Sequence, residues 1–102
     1  MSIINLSNEN FYELIKEGKV LVDFYAEWCG PCKMLGPVIE EVSNEVSDVK
    51  IIKVNVDEHS NIAQQYGVMS IPTLILFDNG SIIKQNVGFI PKENIIELVN
   101  NN

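Results

Sequence analysis

The sequence predicts an α/β fold in which helices pack on a central mixed sheet, and three observations carry that prediction. Two apolar runs, VLVDFYA (residues 20–26) and VKIIKVNV (49–56), are almost continuous rather than alternating. That is the pattern of strands covered on both faces. Stretches of helical spacing lie between and after them. Toward the C-terminus, TLILF (73–77) and SIIKQNV (81–87) are joined through Asp78, Asn79 and Gly80, and Asn-Gly is a strong hairpin signal. The expected order is βαβαβαββα, with the hairpin closing one edge of the sheet.

Each element has its own signal. Phe11, Leu14 and Ile15 give the first helical face, with Ser7 as its expected N-cap and Gly18 as its stop. After the strand at 20–26, Cys29 and Cys32 open a helix that continues through Leu35, Val38, Ile39, Val42 and Val46. The strand at 49–56 leads to a short helix over 62–66 that ends at Gly67. Beyond the hairpin, Pro91 is suited to start a last helix carrying Ile95, Leu98 and Val99 inward.

Length and composition bound the possibilities. A chain of 102 residues is one domain's worth, residues 1–102, and can build a core without several disulfides or a metal. No apolar run approaches the roughly 18 residues of a membrane helix, so no membrane role is expected. The N-terminus, MSIINLSNEN, lacks the charged start and apolar stretch of a secretory signal, and a reducing cytoplasm is the expected compartment. Seven basic against fourteen acidic residues give a net charge of −7, which repels a phosphate backbone and disfavours nucleic acid. His59, in the polar loop DEHSN, is expected to be a solvated bystander.

The cysteines lie in EWCGPCKM, residues 27–34. A structural zinc site wants four ligands, and two Cys with the single His59 under-supply it, so no metal is expected. A purely structural disulfide would close a loop too short to remove much unfolded-state entropy, and a cytoplasm would tend to reduce it. A Cys-x-x-Cys that follows a strand and opens a helix in a βαβ setting is instead a redox arrangement. The reacting species in disulfide exchange is the thiolate, and a helix N-terminus offers unpaired N–H groups and a positive dipole end to it. Cys29 is therefore read as the attacking thiol. Pro31 suits the first helical turn, Gly30 lets the chain turn between the sulfurs, and Cys32, inside the helix, is read as the shielded resolving thiol. Held beside the mixed disulfide, Cys32 acts at high effective concentration. Asp23, a lone carboxylate in an apolar strand, is either a buried functional group or an ordinary edge or bulge residue; burial would raise its pKa toward a range useful for proton transfer.

DFYAEWCGPCKMLGP (23–37) and IPTL (71–74) closely resemble the thioredoxins, and the similarity runs over essentially the whole chain with the same order and compatible spacing. This family is itself the standard example of a Cys-x-x-Cys thiol with a lowered pKa. The resemblance implies four helices on a five-stranded sheet, and a monomeric general reductant of disulfide-containing proteins. It needs no cofactor beyond its own Cys29–Cys32 disulfide and is recharged by a flavin-dependent thioredoxin reductase using NADPH. Residue by residue, it implies that Asp23 is the buried base and acid for Cys32 and that Lys53 is the lysine near it. A solvated Lys53 stays open as the alternative. It also implies that Pro72 is a cis-proline facing the disulfide, that Ile71 offers backbone to an extended substrate, and that Pro37 kinks the second helix. Trp28, Gly30, Pro31, Ile71, Pro72 and Gly88, with Phe89, would form the substrate-docking patch.

The chain departs from the family pattern at three places. Phe89 stands where many members have a small residue, which bears on partner preference; Tyr25 replaces a second tryptophan, with little expected effect; and Met69 stands where some relatives carry arginine, as a tolerated surface or packing change. A disulfide oxidase or isomerase is the alternative function, but such relatives usually carry histidine between the cysteines, and Gly-Pro argues for a reductant. A non-enzymatic interaction module would more often have lost a cysteine or the aspartate.

Overall fold

A computed structural model describes residues 3–100 of the chain. Its five strands are β1 (Ile3–Asn5), β2 (Lys19–Tyr25), β3 (Val49–Asn55), β4 (Thr73–Asp78) and β5 (Ser81–Val87), and its helices are α1 (Phe11–Leu14), α2 (Gly30–Glu45), α3 (Ser60–Gln65) and α4 (Lys92–Asn100). They form one sheet in the order β1-β3-β2-β4-β5. β1 and β2 run parallel to β3, whereas β4 runs antiparallel to β2 and to β5. The expected element order is therefore found, and the mixed sheet has the hairpin at one edge.

Burial explains the apolar runs. Even-numbered residues of β2 (Val20, Val22, Phe24) face one core with Phe11, Ile15, Ile62 and Ala63. Odd-numbered Leu21 faces the other, with Leu35, Ile39 and Val42 of α2 and Ile95 and Val99 of α4. A strand sandwiched this way has no solvent face on which polar residues would alternate. Burying one Leu, Ile or Phe side chain is worth about 1.5–3 kcal/mol, and on both faces of β2 and β4 these residues are inaccessible. β5, at the edge, is exposed over Ser81–Ile83 and then alternates between half-buried and exposed positions up to Val87.

Local chemistry sets the ends. α1 is capped by Asn10 and not by Ser7. The helix begins only at Phe11, so Ser7 is too far from it, while the Asn10 side chain accepts from the N–H groups of Tyr12 (3.0 Å) and Glu13 (3.2 Å). The Ser7 N–H donates to Glu9 Oε1 instead. In the hairpin, Asn79 and Gly80 both adopt positive φ (51° and 87°), as a two-residue turn of primed type demands. Asn79 also ties this turn to the residue just before β2: its Oδ1 accepts from the Gly18 N–H and its N–H donates to the Gly18 carbonyl. Pro91 sits one residue before α4, and its carbonyl accepts from Asn94 and Ile95. Pro37 lies inside α2, and the helical run is unbroken across it.

Candidate functional site

Strand order brings the site together. Because β2 is parallel to β3 and antiparallel to β4, the last residues of β2 (Tyr25) and β3 (Asn55), the first of β4 (Thr73) and the last of β5 (Val87) share one edge of the sheet. The loops that leave or enter there are the segments singled out by motif. Ligand-binding crevices of α/β sheets lie at this edge, beyond the carboxyl ends of the parallel strands.

The cysteines sit in the loop after β2. Cys29 is the N-cap of α2, in extended conformation, and its sulfur accepts a hydrogen bond from the Cys32 N–H at 3.2 Å. Pro31 occupies the first turn, where its missing N–H costs nothing. Cys29 and Cys32 are joined as a disulfide. Both sulfur residues are buried, at 5% and 6% exposure, so accessibility does not distinguish them in the oxidised state. What distinguishes them is the helix terminus: the unpaired N–H of the first turn points at Cys29 Sγ, and the same N–H and dipole favour a thiolate there once the bond is opened.

Around the disulfide, Tyr25, Val56 and Ile71 pack against Ala26, Cys29 and Cys32. The Ile71–Pro72 peptide is cis, and the Ile71 carbonyl oxygen lies 3.8 Å from Cys29 Sγ. The Pro72 carbonyl accepts from the Gly88 N–H at 2.8 Å, which draws the end of β5 to the same place. Trp28 is 70% exposed, and its indole N–H donates to Asp57 Oδ2 at 2.9 Å. Gly30, Pro31 and Phe89 are exposed, Ile71 and Gly88 half-buried. Pro72 is buried. Val87 and Met69 are also exposed apolar residues near this edge. Neither Val87 nor Asp57 was among the residues the sequence singled out; the only signal for Val87 was its place beside Gly88.

Asp23 lies on the same face of β2 as Leu21, the face that α2 covers. It is 1% exposed, and its Oδ1 has no hydrogen-bond partner. Burial pushes its pKa up from 3.8 to about 6, with the Lys53 charge pulling the other way. Asp23 and Lys53 are register partners in the parallel β2–β3 pair; Lys53 is half-buried and its ammonium stands 4.7 Å from the centre of the Tyr25 ring. A cleft of about 220 Å³ is lined by Cys32, Gly36, Lys53 and Tyr25, among others, so the start of helix α2 and Lys53, the register partner of Asp23, share one recess.

His59 is not a bystander. It precedes α3, and its Nε2 is 3.2 Å from the Leu6 carbonyl, tying α3 to the segment after β1. Among the described residues no group of three or more His, Cys, Asp or Glu side chains is placed to hold a metal ion, and no helix is long and apolar enough to cross a membrane.

Comparison with known proteins fits this geometry. The family model described as Thioredoxin matches residues 2–101. The thioredoxin of Chlamydia caviae is 56% identical over 95 residues, covering 93% of each chain. That of Bacillus subtilis is 50% identical over 101 residues, covering 98% of this chain and 97% of its own. Among solved structures, oxidised mitochondrial thioredoxin 3 of Saccharomyces cerevisiae superposes with a TM-score of 0.89 at 33% identity, over 98% of this chain and 95% of that one. With a disulfide at the start of α2 in a fold that superposes on these proteins, the chain belongs to the thioredoxin family and is a thiol–disulfide oxidoreductase.

Proposed function

We propose that the whole chain, residues 1–102, acts as a single-domain, monomeric reductant of protein disulfides, with Cys29 attacking and Cys32 resolving. The observation that carries this is the Cys29–Cys32 disulfide at the N-terminus of α2, with the Cys32 N–H directed at Cys29 Sγ. In the reduced protein, the Cys29 thiolate attacks one sulfur of a substrate disulfide. A Cys29–substrate mixed disulfide forms, and the other substrate sulfur leaves as a thiolate that takes up a proton. Cys32 then gives its proton to the Asp23 carboxylate and attacks Cys29 Sγ. The Cys29–Cys32 bond forms, the second substrate thiol departs, and two electrons have passed to the substrate. With its pKa near 6, Asp23 is mostly ionised at neutral pH and so able to accept that proton. Lys53 supplies the nearby positive charge that keeps this carboxylate from being pushed higher still.

The substrate is received on the patch of Trp28, Gly30, Pro31, Ile71, Gly88 and Phe89, beside the buried Pro72, and an extended segment pairs with the backbone at Ile71. The pair needs no bound cofactor of its own. A thioredoxin reductase, an NADPH-dependent flavoenzyme, restores the dithiol, completing an electron-transport step whose proposed setting is the cytoplasm. Non-reducing gels of single mutants with a disulfide substrate test the roles. Cys32→Ser should accumulate mixed disulfide and stall, whereas Cys29→Ser should form none. Adducts appearing only with Cys29→Ser would reverse the assignment.

A further inference from the structure

Tyr25, a departure from the family's second tryptophan, was expected to change little; its surroundings point to a task. Tyr25 is two residues after Asp23 in β2, so the two side chains leave the same face of the strand. On the adjacent strand β3, Lys53 is the register partner of Asp23 and Asn55 that of Tyr25, so all four side chains leave the same face of the sheet. The Lys53 ammonium can serve one of two partners here. One is the Asp23 carboxylate, buried and with its Oδ1 unpartnered. The other is the Tyr25 ring, whose centre is 4.7 Å away. The ring has it: the Lys53 ammonium lies over Tyr25, and among the described residues no ion pair joins it to Asp23, whose Oδ1 has no hydrogen-bond partner.

We propose that Tyr25 is a positioning residue for the redox reaction, its ring face holding the Lys53 ammonium beside the Asp23 carboxylate and not against it. A cation over a tyrosine face is attracted to the ring quadrupole, more strongly where water is scarce. Asn55, the register partner of Tyr25, accepts through its Oδ1 from the Asp57 N–H at 2.9 Å. The arrangement matters because an ammonium in contact with Asp23 would stabilise the charged carboxylate and weaken it as a base for Cys32, which opens onto the same cleft as Tyr25 and Lys53. The other charges facing this cluster are Glu27 and Lys33 at the cleft and Glu58 near the Tyr25 hydroxyl. They are common to all the variants below, so they do not alter the comparison.

This inference rests on the proton-acceptor role given to Asp23, and its test is separable from that role. The carboxyl carbon of Asp23 is followed by NMR against pH in the oxidised protein, which reads the carboxylate whether or not it serves catalysis. Tyr25→Phe keeps the ring and should leave the midpoint in place. Tyr25→Leu releases the ammonium to the carboxylate and should lower the midpoint by about half a pH unit, the scale of one cation–π contact. Introduced on top of Lys53→Met, Tyr25→Leu should do nothing, because no ammonium remains to be held. Should Tyr25→Leu not fold, Tyr25→Trp carries the test, since a stronger ring should keep the midpoint at or above that of the parent. The inference is overturned by a midpoint that Tyr25→Leu does not move, by an equal shift in Tyr25→Phe, by a Tyr25→Leu shift that persists without Lys53, or by a fall in Tyr25→Trp. Single-turnover resolution of the mixed disulfide, measured on the same variants across pH, reports separately on Asp23. If its pH dependence ignores the Asp23 midpoint, the proton-acceptor role fails while the positioning result stands.

Discussion

Asp23→Asn should make the protein more stable at pH 8 than at pH 4 relative to its parent, and the size of that difference follows from the site. The carboxyl is 1% exposed with an unpartnered oxygen, and its pKa moves from 3.8 in the unfolded chain to about 6 in the fold. The folded state therefore holds the proton more tightly than the unfolded one. Below pH 3.8 both states are protonated and the residue imposes no ionisation cost; as pH rises through about 6 that stability is lost. At about 1.4 kcal/mol per pH unit, the full loss above the folded value is about 3 kcal/mol. At pH 4 about 0.5 kcal/mol of it is already present, because the unfolded chain is half ionised there, so the difference between the two conditions is roughly 2.5 kcal/mol. Asn keeps the shape and cannot ionise. Any cost of burying its amide is the same at both pH values and cancels. Urea unfolding of the oxidised parent and mutant at pH 4 and pH 8 gives the two differences directly. A mutant whose relative stability is the same at both would mean that Asp23 is solvated or already paired, and the reasoning from its burial would be wrong. The same mutant should resolve a mixed disulfide more slowly at neutral pH in a single turnover, since Cys32 has lost its proton acceptor. Greater stability with lower rate is the pattern expected where a strained charge is kept for function.

Two further outcomes follow from the geometry. Phe89, 39% exposed next to Gly88, should set partner preference, so Phe89→Ala should change kcat/KM by different factors for different protein substrates and leave reduction of a small aromatic disulfide unaltered; one common factor for all of them would remove its selective role. Gly80→Ala places a side chain at φ 87° where the nearest atom, the Lys16 carbonyl oxygen, is 3.9 Å away, so the cost is conformational and not steric crowding: about 1–2 kcal/mol in denaturant unfolding, with activity retained.

What could be read from the sequence, and what could not, divides along local and non-local information. The apolar runs, the Asn79-Gly80 turn and the helix opened by the cysteines are signals carried within a few consecutive residues, and each produced the element expected of it. Errors arose where two neighbouring residues offered the same local chemistry. Ser7 and Asn10 are both good caps, and only the point at which Phe11 enters the core settles which is used. His59 looked idle because its partner, the Leu6 carbonyl, is supplied by a distant segment. Pro72, expected in the docking patch, is buried where its neighbour Ile71 is half-buried, a difference set by the chain on either side of it.

The candidate site shows the same division at closer range. Motif and resemblance could name Cys29, Cys32, Asp23 and Lys53 one at a time, but not how their charges are shared. That depends on the β2–β3 register, which sets Asp23 opposite Lys53 and Tyr25 opposite Asn55. Sliding one strand by a single residue would turn each side chain to the other face, carrying Lys53 to the core shared with α1 and α3 and leaving Asp23 without a counter-charge. Register in turn is held by Leu21, Ile51 and Leu74, which must all face α2. The apolar residues that look purely structural are thus what fix the electrostatics around Asp23 and Lys53. A carboxylate buried among them acquires its raised pKa from the same packing that stabilises the sheet, so the strand's stability and the proton transfer proposed for it have a single physical origin.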